Sequence, residues 1–232
     1  ELNQEVKKIE IGESTIKISA QKLFEGNQLV LALPPKLWAN LIPGIQLTNE
    51  LKEIAELKEV AKNTHTWMEE SIKVALIFSK PFWREKGESG TLFSNVGPVT
   101  EFYDHCNAEG DKYALCGFVN GGYTSMTLEQ RKNKVLEQLE LIYGSEALNY
   151  LDYQEVVWGK EKYTYSPSSQ SLFPHQNNGN PIFDHHYFDG RIFFSNSETS
   201  AVHGGYMDGA IYAANSVAKK IIDSHTLNKR FN

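Results

Sequence analysis

Apolar and polar positions along this chain repeat with two different periods, and each change of period marks a new element. Val6-Lys-Lys-Ile-Glu-Ile11 predicts a strand, and so does Thr15 to Ser19 with Ile16 and Ile18 alternating. A third strand, Asn27 to Leu33, is apolar and stops at Pro34-Pro35, which cannot continue a ladder. Leu47, Leu51, Ile54 and Leu57 then recur at helical spacing over 47–62. Strands are expected at 71–79, 91–95, 99–104 and 113–119. Thr127-Leu-Glu-Gln130 has the form of a capping box, and Val135, Leu136, Leu139 and Ile142 continue that helix to Gly144. Arg191-Ile-Phe-Phe194 reads as a short buried strand. Ala210, Ala213, Ala214, Val217, Ala218, Ile221 and Ile222 are expected to form one face of a final helix. The stretch Ser166 to Pro181, rich in Ser, Asn, Gly and Pro, is expected to be the mobile loop. Short strands followed by helices give an α/β chain of the α+β kind, a mixed sheet covered by helices.

Composition narrows the function classes. At 232 residues the chain can hold one or two domains. The net charge of −6, with no Lys/Arg stripe, argues against a nucleic-acid surface. Cys106 and Cys116 make no disulfide framework, so a reducing, cytoplasmic setting is expected. The N-terminus, ELNQEVKK, is not a signal peptide, the C-terminus, SHTLNKRFN, is polar, and no apolar run reaches the roughly 20 residues of a membrane span. His185-His186 would point to opposite faces of a strand, and no Cys/His set has zinc spacing, so no metal is expected. Glu69-Glu70 reads as a solvated strand entry.

Two places carry candidate chemistry. In Ser195 to Ala214, SNSETSAVHGGYMDGAIYAA, a polar turn closing on Gly204-Gly205 offers free backbone N–H groups at a helix start, suited to an anionic or electron-rich ligand. The bland alternative is a Gly-rich turn before a packed helix. On the strand Ser71–Ser79, Ile72, Val74, Leu76 and Phe78 share one face, and Lys73 lies on the other with Ala75 and Ile77. Such a lysine either snorkels to water at an edge or is buried for a reason.

The segment 195–214 resembles the flavin-contacting signature of the flavin-dependent amine oxidases, the monoamine oxidase family. Residues 67–85, WMEESIKVALIFSKPFWRE, resemble that family's substrate-domain strand, and Trp158 followed by Tyr163 is a third agreement in the same order. The resemblance runs from about residue 1 to about residue 223. The family's GxGxxG turn has no counterpart, since Gly121-Gly122 and Gly204-Gly205 are the Gly pairs and neither sits in that context. The chain thus resembles a C-terminal half, whether a cleavage product, a subunit of a split enzyme or part of a longer polypeptide.

The resemblance implies part of an FAD-binding Rossmann-like domain at 1–62 and 158–225, and a substrate domain at 63–157. It implies an oxidase that passes hydride from an amine to flavin N5 and reduces oxygen to hydrogen peroxide, with an N-terminal FAD-binding half as partner. Lys73 would hold a water near N5, with burial lowering its pKa. Tyr206 would form one wall of an aromatic cage for the amine. The second wall falls near Pro167-Ser168, with Tyr165 as a substitute if the loop shifts. Pro167 stands where mammalian relatives carry a flavin-linking cysteine, so FAD is expected to be non-covalent.

Trp158 and Tyr163 would pack around the flavin, and the Val6 backbone would meet adenine. Gly205, Met207 and Ala210 would also contact the cofactor, the first two at its pyrimidine edge. Asn196-Ser197-Glu198 matches the turn beside the ribityl and phosphate groups. There Asn196 replaces a glycine needed either for positive φ or for close approach. Without the family, Val6 is an ordinary strand residue, and Tyr206, Trp158 and Tyr163 are core aromatics. Two other functions stay open: a non-catalytic oxidase-like partner, and an L-amino-acid oxidase. The latter needs an arginine for a carboxylate, from Arg84, Arg131, Arg191 or Arg230.

Overall fold

The computed structural model describes residues 1–42, 50–167, 171–185 and 187–228; Leu47, Ser168, His186 and Arg230 lie outside them, as does the side chain of Leu51. The chain divides into two compact units, Glu1–Trp67 with Lys162–Asn232, and Met68–Glu161. The first unit opens with β1 (Lys8–Ile11), β2 (Ile16–Ser19), β3 (Leu23–Gly26), β4 (Leu29–Leu31), α1 (Pro35–Trp38) and α2 (Glu50–Lys62). The second holds β5 (Ile72–Phe78), α3 (Phe82–Glu85), β6 (Leu92–Phe93), β7 (Val99–Asp104), β8 (Tyr113–Val119), α4 (Leu128–Tyr143) and β9 (Tyr150–Val157). The first unit then resumes with β10 (Ile192–Phe194) and α5 (Met207–Asn228).

In the first unit β1, β2 and β3 form an antiparallel meander, with Ile9 opposite Ile18 and Ile16 opposite Gly26. β4 pairs in parallel with β10, Leu31 opposite Phe194. The ladder ends as expected before Pro34-Pro35. Pro35 then takes the first turn of α1, where its missing N–H costs nothing. Trp38 follows as a fully buried anchor, stacked on Phe194 at 4.4 Å, and Ile54, Leu57 and Ala61 of α2 join the same core.

α5 departs from the expected single face. At about 100° per residue the seven small or apolar positions span about half the helix circumference. Ala213 and Val217 are buried, whereas Ala214, Ala218 and Ile222 are exposed. Together with Met207 and Ile211 they form an outward apolar stripe. The helix is therefore apolar on two sides.

The second unit is a five-stranded sheet in the order β6-β7-β8-β5-β9. Every described pairing in it is antiparallel, and the parallel pairing of this fold belongs to β4 and β10. Ile72, Val74, Leu76 and Phe78 are buried against Val135, Leu139 and Tyr143 of α4. The capping box is present, with Thr127 Oγ1 accepting from Gln130 N at 3.2 Å and Gln130 Oε1 from Thr127 N at 2.9 Å. Arg131 of α4 and Glu155 of β9 form an ion pair with side-chain exposures of 3% and 4%. The Glu69-Glu70 step is not a solvated strand entry, because Glu69 is buried while Glu70 is exposed.

Candidate functional site

In the first unit β10 delivers the chain into a turn at Ser197–Thr199, and then into α5. Asn196 has φ −144° and ψ 175°, ordinary extended backbone, so it does not stand in for a glycine of positive φ. Its side chain explains its presence. Oδ1 accepts from Thr199 N at 3.1 Å, and Nδ2 donates to Leu33 O at 2.7 Å. Glu198 is buried, and burial pushes its carboxyl above the usual range, partly offset by hydrogen bonds from its own backbone and from Ser197 Oγ and by the charge of His65.

The N–H of Gly205 is not free as expected; it donates to Ser197 O at 3.0 Å, and Tyr206 N donates to His203 O at 3.1 Å. The first bond of the helix itself is Ala210 N to Tyr206 O. The open donors are therefore those of Met207, Asp208 and Gly209, the usual unpaired groups of a helix start. Gly205 has φ +85°, and a Cβ there would meet Asn178 Nδ2 at 2.9 Å and His175 Nδ1 at 3.0 Å. A Cβ on Gly209 would lie 2.1 Å from His203 O, so the helix start can lie this close to the turn only with glycine. Tyr206 and Met207 project from this start, with exposures of 50% and 86%, so Tyr206 is not a core tyrosine.

Val6 and Tyr163 line one cavity of about 670 Å³, with Leu33, Leu37, Leu41 and Lys162. Lys162 Nζ pairs with Glu5 at 2.5 Å and lies 5.2 Å from the Tyr163 ring centroid. Leu33 is thus a wall of the cavity and also the acceptor for Asn196, which joins the two parts of the site.

The loop expected to be mobile is held in its described part. His175 N donates to His65 Nδ1 at 3.2 Å, and His65 N to Gln176 O at 3.0 Å. The amides of Gln176 and Asn177 both donate to Asn63 O, and Gly179 N donates to Glu198 O at 2.8 Å. The stretch looks loose for its Ser, Asn, Gly and Pro content, yet the Gln176 and Asn177 side chains and the backbone N–H groups of His175 and Gly179 fix it. His175 and Trp67 were not singled out in the sequence. Their rings lie 4.3 Å apart, and each also lies against Tyr206.

In the second unit Lys73 sits on β5, a central strand flanked by β8 and β9. It is neither at an edge nor buried. α4 covers the opposite face of the sheet, and Lys73 is exposed with Nζ 5.6 Å from the Phe118 ring centroid. Trp158 follows β9, and its N–H donates to Ser71 O at 3.1 Å beside the start of β5. At 36% exposed for Trp158, and with Tyr163 more exposed in its own unit, neither is a core aromatic.

The described arginines are all committed to other partners. Arg84 grips Asp104 through Nε at 2.5 Å and Nη2 at 2.8 Å. Burial raises the Asp104 carboxyl, but Arg84 and Trp83 more than reverse this and hold it well below the usual range. Arg131 is paired with Glu155, and Arg191 donates to the carbonyls of Phe188 and Gly12. This removes three of the four candidates for gripping a substrate carboxylate.

The family model described as flavin containing amine oxidoreductase matches residues 1–222. A protein of Dictyostelium discoideum named Probable flavin-containing monoamine oxidase A is 26% identical over 96% of this chain and 48% of its own length. Human amine oxidase [flavin-containing] B is 27% identical over 90% of this chain and 39% of its own. A putrescine oxidase solved with putrescine bound superposes with a TM-score of 0.77 at 27% identity, over 95% of this chain and 49% of that one. The chain spans about half the length of the relatives it matches. Among the described residues no helix is long and apolar enough to cross a membrane.

Proposed function

Because this chain belongs to the flavin containing amine oxidoreductases, we propose that it forms the C-terminal half of an FAD-dependent amine oxidase, complete with an N-terminal dinucleotide-binding half. The observation that carries this reading is the joint at Leu33. Its carbonyl is bonded by Asn196 in the turn before α5, and the residue lines the same cavity as Val6 and Tyr163.

The residues fit the cofactor. Open N–H groups at the start of a 22-residue helix and the helix dipole favour negative charge at a ring edge. Gly205 and Gly209 keep that approach low. When bound, FAD supplies the two-electron chemistry that takes hydride from an amine and reduces oxygen to hydrogen peroxide. The chain binds and orients. Val6, Asn196, Ser197, Glu198, Gly205, Met207 and Ala210 line the cofactor. Tyr163 in the first unit and Trp158 in the second each keep an exposed ring, the feature asked of an aromatic that meets a planar ligand. Tyr206 offers a π face to the amine, and Lys73 an N–H donor able to hold a water. An amine as substrate fits the likeness to a putrescine oxidase.

FAD is held without a covalent bond, since Pro167, which stands where mammalian relatives carry a flavin-linking cysteine, has no nucleophile. The free cysteines fit a cytoplasmic setting. Native mass spectrometry of the protein from its source, followed by denaturation, tests this. A longer polypeptide or two-chain complex that releases FAD is the expected result. A chain of 26.3 kDa without flavin overturns it in favour of a non-catalytic role.

A further inference from the structure

Trp67, His175 and Tyr206 form a cluster of three rings in the first unit. The centroid separations are 4.3 Å for Trp67–His175, 5.4 Å for His175–Tyr206 and 6.1 Å for Trp67–Tyr206. These lengths describe a triangle, because a column of three rings would put Trp67 and Tyr206 far more than 6.1 Å apart. Trp67 and Tyr206 are tilted 42° to each other, while His175 is nearly parallel to both, at 17° and 25°. Both outer rings remain open, with exposures of 37% and 50%. The pair is thus a V of two aromatic faces with the imidazole wedged against both.

The wedge is built in. His175 holds a left-handed backbone, φ +60°, which is uncommon outside glycine. Its N–H is bonded to His65 Nδ1 at 3.2 Å, and its ring Nδ1 lies 3.2 Å from Asn178 Nδ2. The missing Cβ of Gly205 leaves the space that this ring and Asn178 occupy. The turn that carries Tyr206 and the loop that carries His175 therefore fit only as a pair.

We propose that Trp67 is the second aromatic surface of the amine site, and that His175 is a positioning residue that sets its angle to Tyr206. This rests on the reading of Tyr206 as a substrate wall. Indole is the strongest of the side-chain π faces for an ammonium group. The exposed parts of the two rings leave an alkylammonium head two π surfaces to meet. This arrangement does not use Tyr165 or the Pro167-Ser168 position.

The test uses the native holoenzyme and tert-butylamine, an amine with no α-hydrogen that binds without being oxidised. Titration is expected to change Trp67 emission in the wild type and leave Trp67→Phe without that signal. Trp67→Leu is expected to weaken tert-butylamine binding about tenfold and raise KM for a primary alkylamine similarly, with kcat and flavin content kept. His175→Ala is expected to raise KM as well, and His175→Phe to restore it. Wild-type affinity in Trp67→Leu, with binding lost in Tyr206→Ala, overturns the role of Trp67 and leaves the oxidase reading intact. Wild-type affinity in both variants overturns the reading of Tyr206 itself. Trp67→Phe guards against a folding defect, since it keeps ring volume and is expected to keep binding within about threefold.

Discussion

Asn196 reaches from the turn before α5 to the carbonyl of Leu33, 163 positions earlier in the chain, with a hydrogen bond of 2.7 Å. The same buried side chain caps Thr199 N. Asn196→Ala removes both bonds and is expected to cost about 2 kcal/mol in urea unfolding. Asn196→Asp keeps the cap but sets an anion against the carbonyl, so it should not recover the loss. An unchanged unfolding midpoint in Asn196→Ala would show that the bond to Leu33 contributes nothing.

Arg131 and Glu155 are both almost fully buried, and Arg131 Nε also lies 3.1 Å from Glu155 Oε1. Glu155→Ala leaves a guanidinium in the interior without its counter-charge and is expected to cost about 3–5 kcal/mol. Arg131→Met with Glu155→Leu removes both charges and should recover most of that. Denaturant unfolding of the single and double variants decides it, and a double variant as weak as the single one would contradict the charge argument.

Asp104 has a folded-state pKa below the ordinary carboxylate value. Its pairing therefore adds stability that is fully present above the unfolded pKa, about 4, and is lost as pH falls through the folded pKa. Melting temperatures at pH 7 and pH 3 should fall less steeply for Asp104→Asn than for the wild type. Equal slopes would mean that Arg84 and Trp83 do not perturb this carboxyl.

Lys73 stands on the open side of a central strand, with the Phe118 ring as its neighbour. Lys73→Met should leave stability within about 0.5 kcal/mol, as for an exposed site. Flavin content should also be kept while the reaction with oxygen slows at least about tenfold. Stopped-flow reoxidation measures this, and an unchanged oxygen rate removes the role given to Lys73.

Tyr206 presents a π face, and no general base is assigned among the site residues. On the proposed oxidase reading an amine that arrives as its cation must lose its proton to solvent before it reacts, and kcat/KM on a slow amine should rise with pH through that amine's pKa. A flat profile would require a base on the protein.

What could be read from the sequence depended on how local each cause was. α4 was legible because the capping box, the apolar rows and Gly144 all agree along one stretch of chain. β9 was not, because YLDYQEVV has no clean alternation and becomes a strand through its pairing with β5, Val74 opposite Glu155. The period of two placed Lys73 on the correct face of β5 but could not say whether that strand was central or whether a helix covered that side. The glycine turn and Tyr206 were visible as a motif. The reason for Asn196 was not, since its partner lies on a distant strand end. Composition made 171–181 look loose, although Asn63, His65 and Glu198 hold it in place.

The outward stripe of α5 has a consequence for the life of the chain in a cell. Met207, Ile211 and Ile222 face water along one line of a long helix, with alanines between them. Such a surface is what chaperones retain and what neighbouring copies adhere to. Charged substitutions at Ile211 and Ile222 are therefore expected to raise the yield of this polypeptide made by itself.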